Sequence, residues 1–447
     1  MTARYRESCR TIYTLRVLLV STYELGHQPL AVTSPARRLT DAGHEVRAMD
    51  LSVEPLSADH IAWADRIAVS VPMHTALRLA GPALEEIRTV SPLVPVALYG
   101  LYAGVGLDAA YQADAALVGE YETALVAWVA DPAPGVTIDL SVQSYRAPRR
   151  DLLTGDYASL ETRDGVKKAG YVEGSHGCRH RCRHCPIPSV YGGRFRIVDE
   201  DSVIEDIATM VGSGVEHVTF GDPDFFNGPA HSMRLLEKAH DAHPEVTFDV
   251  TIKVEHLLAH DDLLPRLASS GVIFVVSAFE STSGTVLTRL DKGHTPGDMH
   301  TVLRHCRAAG LEIHPTWLPF TPWTQLTDLP DIFSFLNSHG LFEVTEPVQL
   351  GLRLLVPPGS LVLDVDDVRW GGFDSEALSH RWANPDRSVD ELQAVLASIA
   401  ARGAGMDRRQ TLVEMWRSAL EAVGGDPEIA QIAPGEMRAR ITEPWFC

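Results

Sequence analysis

Residues 174–195, GSHGCRHRCRHCPIPSVYGGRF, hold three of the chain's six cysteines. Cys178, Cys182 and Cys185 have the spacing C-x3-C-x2-C, in a loop opened by Gly174 and Gly177. Thiols crowded this closely in a chain of 447 residues point to a metal centre rather than a disulfide framework. Three thiolates can bind three irons of a [4Fe–4S] cube and leave the fourth iron open to a small molecule. A cluster that only carries electrons usually has four cysteines. The competing reading is structural zinc in a Cys3His set, for which His176, His180 and His184 are close enough in sequence to compete. The position of the loop weighs toward the cluster, as the flanking text shows.

Downstream of the cysteines, short apolar stretches alternate with helical ones. GYVEGS (170–175), EHVTFGD (216–222), TFDVTIK (247–253), VIFVVSAFE (272–280), LEIHPTWLPF (311–320) and VQLGLRLLV (348–356) read as strands. SVIEDIATMVGSG (202–214) and GDMHTVLRHCRAAG (297–310) read as helices between them. Six such repeats fit an incomplete parallel (β/α)6 barrel over 169–365, whose chemistry sits at the C-terminal strand ends. The cysteine loop follows its first strand. Upstream, RVLLVS (16–21), HEVRAMDL (44–51), RIAVSVPM (66–73), PVALYG (95–100) and ADAALVGE (113–120) alternate with helices in the same way. The fold class is therefore α/β: a doubly wound, Rossmann-like domain over 1–136 precedes the barrel. A Pro-rich stretch, DPAPGV (131–136), ends that domain, and 137–168 read as an irregular linker. Residues 366–447 read as a mostly helical region with a Pro- and Trp-containing tail.

The net charge of −20, from 59 acidic and 39 basic residues, argues against a nucleic-acid partner, which needs a basic footprint. No apolar run approaches the roughly 20 residues that span a bilayer. The N-terminus lacks a signal-peptide core with a small-residue cleavage site. The expectation is a cytoplasmic protein with no membrane partner.

C-x3-C-x2-C after the first strand of such a barrel resembles the radical S-adenosylmethionine (radical SAM) superfamily. The resemblance implies two cofactors, a [4Fe–4S] cluster and S-adenosylmethionine. The amino and carboxylate groups of the latter chelate the open iron before a C–S bond is cleaved reductively. It also implies a flavodoxin- or ferredoxin-type electron donor. The front domain resembles the cobalamin-binding domain of many such enzymes, and VSAFESTSGTVLTRLDKGHT (276–295) resembles their fourth-strand region. That domain lacks a D-x-H-x-x-G word. Cobalamin bound without a histidine and no cobalamin both stay open, with the second preferred.

A narrower resemblance runs from Tyr171 onward. CRHCPIPSVYGGRF (182–195), FGDPDFFNGP (220–229), LDKGHT (290–295), FTPWT (320–324), RLLVPPGS (353–360) and TEPWFC (442–447) are similar, in this order, to the CUAEP/CCAEP-tail radical SAM family. It includes the arsinothricin-biosynthesis enzyme type. The resemblance implies transfer of the 3-amino-3-carboxypropyl group of S-adenosylmethionine to trivalent arsenic, supplied as arsenite. Cobalamin-dependent radical methyl transfer is the alternative, and a non-enzymatic zinc protein a third reading. In that family a selenocysteine or cysteine and then Ala-Glu-Pro follow the position of Cys447. A UGA codon is therefore expected next in the genomic frame. UAA or UAG there, or no Ala-Glu-Pro downstream, removes the idea.

Candidate site residues follow. Gly221 and Asp222 replace the superfamily's Gly-Gly-Glu segment, so Asp222 is a candidate for the amino group of S-adenosylmethionine, against a plain Asp-Pro turn. His184 adjoins the last cysteine, where it can pack on adenine. Lys253 and Glu255 alternate on TIKVE (251–255) and are expected to face the barrel interior, as ligand contacts or as a structural ion pair. Ser277 and Glu280 end the fourth strand and are expected at the ribose and methionyl groups. Arg289 and Lys292 read as surface charge. His314 and Arg353 are inward candidates on strands five and six. Trp317 and Trp323 are expected at the barrel mouth, where they wall the adenosyl pocket or simply pack. Cys306 reads as an inert buried thiol and Cys9 as incidental. Cys447 is the candidate catalytic residue, because trivalent arsenic favours soft thiolates.

Overall fold

A computed structural model of the chain describes residues 14–429, 432, 435 and 437–442. It divides into two compact units. One holds the residues up to 23, 29–107 and 111–154; the other holds 24–28, 108–110 and everything described from 155 onward.

The first unit carries six strands: β1 (Arg16–Ser21), β2 (Glu45–Asp50), β3 (Arg66–Ser70), β4 (Val96–Tyr99), β5 (Ala115–Gly119) and β6 (Gly135–Asp139). All pair in parallel, in the order β2-β1-β3-β4-β5-β6. Helices α1 (Leu30–Asp41), α2 (Ala58–Trp63), α3 (His74–Val90), α4 (Ala103–Asp108) and α5 (Tyr121–Ala130) lie between successive strands. β1, β3, β4 and β5 are almost wholly buried, which is why they read as unbroken apolar runs. The strand order reverses between β1 and β3, the place where such sheets bind ligands at their C-terminal edge.

The boundary expected at 136 falls inside β6, and 137–168 is not an irregular linker. It contains the rest of β6, a 3-10 turn at Arg150–Leu152, β7 (Ser159–Thr162) and the start of β8 (Gly165–Val172). β6 is an exposed edge strand, so it has no apolar run to betray it.

In the second unit β8 leads into a small hairpin of β9 (Ser175–Gly177) and β10 (Phe195–Ile197), with α6 (Ile187–Tyr191) between them. The chain continues through α7 (Glu200–Gly212), β11 (His217–Phe220), α8 (Pro229–Ala242), β12 (Thr247–Thr251), α9 (Val254–Ala259), α10 (Leu264–Ser269) and β13 (Val272–Glu280). Then come α11 (Gly284–Arg289), α12 (Pro296–Ala308), β14 (Glu312–Trp317), α13 (Asp328–His339), α14 (Arg387–Arg402) and α15 (Arg408–Ala422). The sheet runs β14-β13-β12-β11-β8-β7 and ends on a short strand, Arg440–Ile441. β8, β11, β12, β13 and β14 are parallel, while β7 and the last strand are antiparallel additions.

The barrel thus has five parallel strands, not six. VQLGLRLLV folds as a 3-10 helix at Pro347–Gly351, and among the described residues its one β pairing is the isolated parallel bridge Phe320–Arg353, outside the sheet strands. A Cβ on Gly351 would lie 2.9 Å from Ala397 Cα, so this segment packs against α14. Apolar text alone does not separate a buried strand from a buried turn.

Trp317, the last residue of β14, is buried edge-on to Phe279 and Phe335, the packing alternative of the two. Arg353 does not face the barrel interior: it pairs with Asp390 at 2.7 Å and lies over the Trp382 ring. His314 is buried in β14, stacked on Phe274 at 4.1 Å. Cys306 is fully buried in α12, and burial pushes its thiol up to about 12. Cys9 and Cys447 lie outside the described residues.

Candidate metal and cofactor site

The loop after β8 is braced on three sides. Asp222, just past β11, accepts from Gly174 N at 2.8 Å and from Ser175 Oγ at 2.5 Å. Asn227 Oδ1 accepts from Arg179 N at 3.0 Å and lies 3.5 Å from Cys178 Sγ. Arg183 donates from its backbone to Leu290 O and from Nη1 to Arg289 O, both at 2.9 Å. Gly177 has φ +73°, and a Cβ there would meet Tyr191 at 2.5 Å, so the turn into the loop needs glycine. Gly221 is constrained by packing instead: a Cβ would overlap the Tyr171 ring at 1.9 Å.

Cys178 and Cys182 are buried, and Cys185 nearly so. Burial pushes the Cys185 thiol up to about 12, and the charges of Cys182 and Cys178 add to that rise. Burial likewise raises Cys178, with Cys182 among the further causes. The three thiols are therefore close enough to feel one another's charge. Ligands of a single zinc ion, at about 2.3 Å each, would lie roughly 3.8 Å apart. Among the described residues the cysteine trio is not a set whose ligand atoms all lie within 4.8 Å of one another.

Beside the loop lies a buried charged triad. Glu280 Oε1 is 3.0 Å from both His184 Nε2 and Lys292 Nζ. Burial alone would raise the Glu280 carboxyl, but Lys292 and His184 outweigh it and hold the group well below the usual carboxylate range. Burial would lower Lys292; Glu280 first, then Cys182 and Cys185, raise it instead. Lys292 is thus no surface charge: it is 3% exposed. Arg289, by contrast, is half-exposed and pairs with Asp367. Glu280 itself has φ +65° at a register shift in the pairing of β13 with β14. This backbone conformation, strained for a side-chain-bearing residue, turns its carboxylate to His184 of the cysteine loop.

β12 stops at Thr251, so Lys253 and Glu255 are not strand neighbours: Lys253 caps α9 and Glu255 lies in its first turn. They still meet, at 2.8 Å, and Lys253 Nζ also reaches His180 Nδ1 at 3.1 Å. Ser277, fully buried in β13, and Thr282 have hydroxyls without a hydrogen-bond partner, as has His184 Nδ1. Buried polar atoms left this way cost about 1–3 kcal/mol each, so a polar ligand at these strand ends suits them. Two buried thiols and a third nearly so, in the loop that also carries His184, fit a cluster beside a polar ligand.

The family model for the radical SAM superfamily matches residues 172–322, from the end of β8 past β14. The chain carries a radical SAM domain. It is an enzyme, and the cofactors of such a domain are a [4Fe–4S] cluster and S-adenosylmethionine. Two curated relatives are the hopanoid C-2 methylase of Rhodopseudomonas palustris (strain TIE-1), 24% identical over 56% of this chain, and the ribosomal protein uS12 methylthiotransferase RimO of Aromatoleum aromaticum, 25% identical over 39%. The chain spans 48% and 43% of those proteins, less than half of each.

Among solved structures, OxsB, a cobalamin-dependent S-adenosylmethionine radical enzyme seen with aqua-cobalamin, covers 92% of this chain and is itself covered to 80%. Its TM-score is 0.63 at 12% identity. The radical S-adenosylmethionine methyltransferase TsrM of Kitasatospora setae, with cobalamin and a [4Fe–4S] cluster bound, covers 73% and is covered to 70%, with a TM-score of 0.56 at 16% identity. Identities this low establish a shared fold. No helix among the described residues is long and apolar enough to cross a membrane.

Sequence reasoning missed Asn227, Asp224, His256 and the role of Lys292. FGDPDFFNGP and LDKGHT had marked the segments of all but His256, which carries no signal of its own.

Proposed function

We propose that this enzyme cleaves S-adenosylmethionine reductively and transfers its 3-amino-3-carboxypropyl group to a soft acceptor, trivalent arsenic. The convergence of three buried thiols with the Glu280–Lys292–His184 triad carries the cofactor half of this reading. The ordered words from CRHCPIPSVYGGRF to TEPWFC carry the choice of group and acceptor. Cys178, Cys182 and Cys185 hold the cluster, which supplies the electron for C–S cleavage when bound. Glu280, kept ionised by its two partners, accepts ribose hydroxyls, and Ser277 donates beside it. Lys253 faces the methionyl carboxylate, and His184 packs on the adenine. Asp222 spends both oxygens on Gly174 and Ser175, so its part is to fix the cysteine loop next to Gly221. Cys447 presents the acceptor. A flavodoxin- or ferredoxin-type protein delivers the electron, in the cytoplasm.

A second reading, cobalamin-dependent methyl transfer, is favoured by the six-stranded first unit and by fold likeness to OxsB over 92% of the chain. By-product analysis separates the two. After anaerobic reconstitution and reduction with S-adenosylmethionine and arsenite, methylthioadenosine is expected. S-adenosylhomocysteine with 5′-deoxyadenosine replaces this reading by methylation. 5′-Deoxyadenosine alone defeats both.

A further inference from the structure

His180 lies within the cysteine loop, Asp224 follows β11, and His256 is in α9. Among the described His, Cys, Asp and Glu residues, these three form the one set whose ligand atoms all lie within 4.8 Å of one another. Asp224 is 1% exposed. Its Oδ2 lies 2.9 Å from His256 Nδ1, yet neither buried atom makes a hydrogen bond of acceptable geometry. Two lone-pair atoms in contact with no proton directed between them are arranged like ligands that converge on a third centre. His180 Nε2 is 3.8 Å from the same carboxylate oxygen. His256 can offer an ion one ring nitrogen, Nδ1 beside Asp224 or Nε2, which lies 3.1 Å from His180 Nε2. Nitrogen and oxygen ligands at about 2.0–2.2 Å from one ion stand roughly 3–3.5 Å apart, and with one atom from each residue this set lies within 4.8 Å, close enough for small side-chain shifts to close it on an ion.

We propose that His180, Asp224 and His256 form a second metal site, for Zn2+ or a similar borderline divalent ion, separate from the three cysteines. Two histidines and one carboxylate leave coordination positions open. Those positions suit water or an oxygen-donor group of a second substrate. Lys253 Nζ donates to His180 Nδ1, which puts the imidazole proton on Nε2. An ion at Nε2 takes that proton's place and the proton moves to Nδ1, so Lys253 gives up His180 and keeps its other partner, Glu255 Oε2, at 2.8 Å. A carboxylate behind a ligating histidine, here acting through Lys253, sets its tautomer in this way. The site does not depend on which group of S-adenosylmethionine is transferred.

The test uses the full-length protein, reconstituted anaerobically with its cluster and dialysed against Zn2+. Elemental analysis is expected to find about one zinc per chain beside a full iron complement. The zinc K-edge spectrum is expected to show nitrogen and oxygen neighbours and no sulfur. His256→Ala should lose the zinc and keep the iron. Glu255→Gln, which takes away the charged partner of Lys253 behind His180, should weaken zinc binding by about 10-fold or more. Sulfur in the zinc shell, unchanged affinity in His256→Ala, or no zinc taken up by the unaltered protein overturns the proposal. The K-edge spectrum decides the matter even where His256→Ala fails to fold.

Discussion

Replacing Cys182 with alanine is expected to leave a colourless protein that takes up no [4Fe–4S] cluster and forms no product from S-adenosylmethionine. Cys182 is buried in a loop that contributes three thiolates, and two cannot hold the cube in a site with no fourth cysteine nearby in sequence. The loop itself should keep its path, because its braces are the backbone and side chain of Arg183, the Asn227 amide and the Asp222 carboxylate. Iron content and the visible spectrum read the loss, and circular dichroism checks the fold. Cys306→Ala is the control. That thiol is buried in α12, so its removal should cost about 1 kcal/mol and no iron. A Cys182→Ala protein with full iron would remove the cluster assignment.

Lys292→Met is expected to destabilise the second unit by about 3–5 kcal/mol, the usual cost of breaking a buried ion pair from one side. Glu280 would keep a negative charge in a site where burial opposes it and only His184 remains to compensate. The measurement is urea unfolding of cluster-free protein under anaerobic conditions. Adding Glu280→Gln to Lys292→Met should restore at least half of the loss, since the stranded charge is then gone. A loss below about 1 kcal/mol in the single variant, the scale of an exposed pair, would mean that the triad is open to water.

Much of this arrangement was legible before any tertiary structure. The doubly wound sheet and the parallel barrel follow from apolar runs spaced by helices, because strands buried on both faces tolerate no polar side chains. The cysteine loop is legible because its ligands are local: the three thiols fall within one short segment, and spacing alone limits what they can hold. Elements whose burial is one-sided or absent left no such mark. β6 is an exposed edge, and VQLGLRLLV is buried as a turn against α14, so the first was missed and the second was read as a strand.

Tertiary structure alone decided the partners of the charged residues. Lys292 and Glu280 are twelve positions apart, and their pairing depends on a register shift at the end of β13 and on the return of the chain after α11. His180, Asp224 and His256 come from three separate strand ends and meet because a parallel barrel gathers those ends at one mouth. The residues of the cysteine motif thus pointed by themselves to a three-thiolate metal centre, with zinc as the competitor to a cluster. The folding of distant loops onto that motif determined which charges surround it, since electrostatic contact is set by distance in space, not along the chain.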